Sequence, residues 1–153
     1  MSTTGSTLQG NSLQVFANTP QNSGGSIGST GGTGTFGSDT NGIAIYTAGT
    51  NGSRVTDVFF STNLGGAQPS VFLYILNGST VYPLTILTIP AQAGSVASTP
   101  CMDALSVVNC PGLPLDSTGK PYIDLAPNSV LKFSTITSLG ASTINASTIG
   151  LDY

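Results

Sequence analysis

The chain has 153 residues, the size of one domain with a single core, and a formal net charge of −3. Only 6% of its residues are charged, and it has no His, Trp or Glu, whereas about a quarter of an ordinary domain is charged. Its three basic residues, Arg54, Lys120 and Lys132, are scattered, leaving no footprint for a phosphate backbone, so no nucleic-acid partner is expected.

So neutral a surface implies that much of it is covered by other subunits, since charges normally guard sheet edges and hold neighbours apart. The alternative is a surface kept in solution by hydroxyls and amides alone. The opening MSTTGSTLQGN has neither a basic stretch nor an apolar one, and no run of apolar residues is long enough to span a bilayer. Neither a signal peptide nor a membrane partner is therefore expected.

Residues 1–42 hold half of the glycines and only scattered apolar residues, and they read as an extended arm preceding a domain over 43–153. SLQVFAN is able to form one short strand. QNSGGSIGSTGGTGTFG has too little to bury to offset its ordering entropy. Gly32, Gly34 and Gly37 match GxGxxG, but no apolar strand precedes them and no helical period follows. The match is compositional, not a dinucleotide loop.

From Ile43 onward, short β-rich runs alternate with turn residues: GIAIYTAG, RVTDVFFSTN, PSVFLYILN, TVYPLTILTIP, KPYIDLAP, SVLKFSTITS and STINASTIGLDY. The pattern predicts an all-β antiparallel sandwich, jelly-roll-like. Asn77-Gly78 marks a tight hairpin between the third and fourth runs. In PSVFLYILN both alternating sets are apolar, so one face meets the core and the other needs a cover, from another subunit or from a loop of the same chain. STPCMDALSVVNCPGLP is the one stretch able to turn helically, with Thr99 as N-cap, Pro100 at the first position and Asp103 in the first turn. CPGLPLDSTGKP reads as a rigid loop in which Asp116 bonds nearby amides.

Cys101 and Cys110 stand alone, without CxxC or His, and read as two buried thiols; a disulfide would require an oxidising compartment. The sequons at Asn51, Asn77 and Asn145 read as turn asparagines. Without an imidazole, acid and base chemistry would rest on the six aspartates, of which Asp39 and Asp116 fall in turns and Asp57 and Asp124 in strands. No enzyme activity, cofactor or metal site is expected, and no calcium-loop spacing occurs around Asp116.

TAGTNGSRVTDVFFSTN, PGLPLDSTGKPYIDLAPNSVLKFS and the closing LDY resemble small head proteins of tailed bacteriophages, the β-sandwich decoration, or cement, proteins. The resemblance spans about Ile43 to Tyr153. It implies a structural subunit on the outer capsid surface, with the major capsid protein and copies of itself, as dimer or trimer, for partners. Candidate contact residues are Phe16, Ile27 and Phe36 of the arm and Phe72, Tyr74 and Leu76 of the second face. A receptor- or carbohydrate-binding module is the alternative, with Tyr46, Tyr74, Tyr82, Tyr122 and Tyr153 as candidates for stacking on sugars. A self-assembling shell or pilus-like subunit is a third.

Overall fold

The computed structural model describes residues 19–28, 41–66, 68–136 and 139–153. Among them are nine strands: β1 (Thr19–Ile27), β2 (Ile43–Thr47), β3 (Ser53–Thr62), β4 (Ser70–Asn77), β5 (Thr80–Thr88), β6 (Met102–Asp103), β7 (Ile123–Leu125), β8 (Val130–Thr135) and β9 (Ile144–Asp152). No helix of the described residues is long and apolar enough to cross a membrane.

The strands pair as nested antiparallel hairpins: β4 with β5 innermost, then β3 with β6 and β7, β2 with β8, and β1 with β9 outermost. Successive pairs alternate between two sheets, ordered β1-β9-β3-β6, with β7 also on β3, and β2-β8-β4-β5. This is the jelly-roll arrangement of a β-sandwich. The innermost turn is Gly78-Ser79, one residue later than the Asn77-Gly78 expectation. Gly78 has φ +60° at the first central position, where a side chain would be strained.

Period-two alternation fixes which side of each strand is buried. In β9, Ile144, Ala146, Thr148 and Gly150 point inward while Asn145, Ser147 and Ile149 face out. Val55, Val58 and Phe60 of β3 meet Val71 and Leu73 of β4 and Leu131 and Phe133 of β8 in one core. Phe60 and Phe133 join the sheets edge-to-face, with centroids 5.2 Å apart.

The seven strand-like runs from Ile43 onward are all strands, and the structure adds two. Residues 19–27, assigned by composition to the arm, form β1, paired with β9 over nine residues. Only Ile27 is buried, so the main-chain ladder and not side-chain burial holds this strand. Gly25 makes the placement fit: a Cβ there would lie 2.5 Å from Ile43 Cγ2 and 2.8 Å from the Ala44 carbonyl. The Thr148 hydroxyl donates to the Ile45 carbonyl at 2.9 Å and lies 3.1 Å from the Ser23 carbonyl, tying β9, β2 and β1 together.

The helical expectation for 98–114 is corrected. Thr99 bridges to Val96 and caps nothing, and Met102–Asp103 pairs with Phe59 and Phe60 as β6. One turn closes later, from the Cys110 amide to the Ser106 carbonyl at 2.8 Å. Side chains compete with helix here: Asp103 Oδ1 accepts from the Leu105 amide, Ser106 Oγ from the Asn109 amide, and the Asn109 side chain donates to the Asp103 carbonyl. Cys110 is buried as expected, but Cys101 is exposed, and the two thiols are unbonded. Asn51 and Asn77 lie at turns, whereas Asn145 lies within β9.

Candidate functional site

The contact residues read from the sequence divide three ways. Phe16 and Phe36 lie outside the described residues. Ile27 is 1% exposed and belongs to the chain's own core. Phe72, Tyr74 and Leu76 share the side of β4 turned away from that core, yet Phe72 and Tyr74 are fully buried and Leu76 half-buried. Their rings lie 5.4 Å apart, and the Tyr74 hydroxyl accepts the Gly42 amide at 2.9 Å. The second face of β4 is thus covered within the single chain, the loop-of-the-same-chain alternative, and is not open to a partner in the isolated molecule.

Most of the charge is gathered where β3 meets β7. Arg54 and Asp124 face each other in register, with Nε 2.8 Å from Oδ1 and Nη2 3.2 Å from Oδ2. The guanidinium sits 3.9 Å over the Tyr122 ring, and the Tyr153 hydroxyl donates to Asp124 Oδ1 at 3.1 Å. Lys120 pairs with Asp57, whose other oxygen accepts the Thr56 hydroxyl. Each partner raises the basic group's pKa, Asp124 that of Arg54 and Asp57 that of Lys120. Asp116 Oδ1 accepts the amides of Lys120 and Thr118 and the Thr118 hydroxyl, as the loop reading anticipated, and these bonds lower its pKa.

A second polar cluster joins residues 106 apart in sequence. Asp152 Oδ1 accepts the Tyr46 hydroxyl at 3.0 Å and the Ser53 hydroxyl at 2.5 Å, while Ser53 Oγ accepts the Gly49 amide. Burial first, then Asp152, pushes the Tyr46 phenol up to about 12, so it stays protonated and donating at neutral pH. Beside it opens a polar cleft of about 230 Å³ lined by Gln21, Asn22, Ser23, Tyr46, Thr47 and Asp152. Among the described residues no three His, Cys, Asp or Glu side chains gather as metal ligands.

The contrasting region is the flank at β5. No charged residue occurs from Val58 to Met102, nor from Ala104 to Leu115. The chain leaves β6, and residues 104–113 cross to β5, where the Thr85 hydroxyl donates to the Asn109 carbonyl at 2.9 Å. Ala104, Leu105 and Cys110 point inward and close the sandwich. Outside, a groove of about 320 Å³ runs between Pro83 and Leu84 on one side and Cys110, Pro111, Gly112 and Leu113 on the other. Val107 and Val108 project beside it, 53% and 90% exposed, with Tyr82 51% exposed at the rim. Sequence reasoning missed this flank because Val107 and Val108 fell in the supposed helical turn, although the long uncharged stretch was there to read.

Of the tyrosines considered for sugar stacking, Tyr46 and Tyr74 are buried and Tyr122 lies under Arg54, which leaves Tyr82 and Tyr153 exposed. No protein-family model matches the chain, and no curated protein does. Among solved structures, it is similar to a chain of the cyanophage Pam1 capsid asymmetric unit, with a TM-score of 0.47 and 14% identity, over 90% of this chain and 88% of that one.

Proposed function

We propose that this chain is a structural, non-catalytic virion protein that decorates the outer surface of a bacteriophage capsid, binding the major capsid protein and bridging capsomers. The observation that carries the reading is the uncharged flank at β5, where large apolar side chains stand in solvent with no ionic group among them. Monomeric domains seldom leave such a patch uncovered. The resemblance of residues 43–153 to phage decoration proteins supplies the kind of shell. Because β1 is a strand of the sandwich, the arm available for tethering comprises the residues before Thr19.

The test is to mix the purified chain with capsids lacking it and image the particles. Saturable density on the outer surface supports the reading, and loss of binding on deleting residues 1–18 assigns the tether. Failure to bind the shell overturns it. A second reading, a carbohydrate-binding module, is favoured by the polar cleft at Asp152 and the exposed Tyr82 ring. Glycan-array binding abolished by Asp152→Ala or Tyr82→Ala would support that reading instead.

A further inference from the structure

We infer that the flank formed by β5 and residues 104–113 is a two-fold self-association surface, whose occupant is the Val107-Val108 tip of a second copy of this chain. The inference does not depend on the capsid reading. Three features carry it.

The first is self-complementarity. An apolar projection, Val107 and Val108, stands two residues from Cys110, which lines an apolar groove with Pro83, Leu84 and Leu113. A two-fold operation that seats one copy's tip in its partner's groove seats the reciprocal tip as well, so one geometry satisfies both. The second is charge. Asp103 is the one charged residue between Val58 and Leu115, and its carboxylate is turned to the Leu105 amide. Two such flanks approach without like-charge repulsion.

The third feature concerns the mode of contact. β5 is an edge strand, and sheet extension by a second β5 would be the usual hazard of an uncharged edge. Here Pro83 has no N–H to give, the register shifts beside it between Leu73 and Tyr74, and residues 104–113 lie against the strand at Thr85. The edge is blocked while the side chains next to it stay free, so copies meet by packing and not by strand addition. A patch of this extent falls toward the small end of specific interfaces, which corresponds to a weak dimer.

The test is sedimentation equilibrium of the full chain over a concentration series up to the high micromolar range. The expected result is a reversible monomer–dimer equilibrium. Val108→Asp should raise its dissociation constant by about tenfold or more, the scale of a 1.4 kcal/mol loss, with the melting temperature unchanged. Tyr82→Lys should weaken it in the same direction. Ile149→Asp, exposed on β9 away from this flank, should leave it as it was. A wild-type chain that stays monomeric throughout, a trimer, or an equilibrium indifferent to Val108→Asp would overturn the assignment. So would equal weakening by Ile149→Asp.

Discussion

The region where β3 meets β7 and the flank where residues 104–113 meet β5 face solvent by different means. In the first, Arg54, Asp57, Asp116, Lys120 and Asp124 bond one another or nearby amides, and Tyr122 and Tyr153 pack among them. In the second, valines, a tyrosine and prolines stand bare, and the neighbouring Asp103 is engaged with its own loop. Both regions rest on the same core. The difference teaches that a chain with few charges has not diluted them evenly: it has collected them where they order a turn-rich segment and left another side fit for protein contact.

The comparison breaks if the two regions do not share their support. Phe133→Ala removes the edge-to-face contact between the sheets and should cost about 3–5 kcal/mol, lowering the thermal midpoint by roughly 10 °C. Hydrogen exchange should then rise in both regions together. Exchange confined to one of them would show two independently supported units.

A smaller effect lies at Asp152. Asp152→Asn weakens the acceptor for the Tyr46 and Ser53 hydroxyls, at a cost of about 1–3 kcal/mol in a chemical-denaturation series. The pH dependence has a fixed sign. Between the ordinary tyrosine value of 10.0 and about 12, the folded chain keeps a proton at Tyr46 that the unfolded chain has lost. This contribution is therefore complete below pH 10 and fades as pH rises through the folded value. Tyr46→Phe should flatten that stretch of the stability curve.

The ion-paired region sharpens the contrast further. Arg54→Ala loses an exposed bidentate pair and the stacking on Tyr122, and should cost about 0.5–1 kcal/mol, less as salt is raised. Smallest of all is Val108→Ser. With the side chain 90% exposed, monomer stability should stay within about 0.5 kcal/mol of the parent. A larger loss would mean that Val108 supports the fold and is not held ready for a partner.

Much of this fold was legible in the sequence because its signals are local. Runs such as VFLYILN and STINASTIGLDY carry β-branched and aromatic residues bounded by turn formers, and the nested hairpins follow once they pair. β1 was not legible, since TPQNSGGSI has little strand propensity and its placement comes from main-chain bonds to β9. β6 has two residues and is induced by Phe59 and Phe60. The sites were harder. Tyr46 and Asp152 are brought together only by the two sheets, and nothing in PSVFLYILN says that Phe72 and Tyr74 are covered within the chain. The exposed valines of DALSVVNC became visible once Asp103 and Ser106 were seen to turn the backbone out of a helix.

The central claim is that the uncharged flank at β5 is a surface made for protein contact. The most direct measurement is the hydrogen-exchange protection of residues 80–88 and 104–113, compared between the free chain at low concentration and the chain bound to capsids that lack it. The account predicts added protection on that flank while the Arg54–Asp124 region stays as it was. Unchanged exchange on the flank in the bound state, or protection gained only where β3 meets β7, would contradict it.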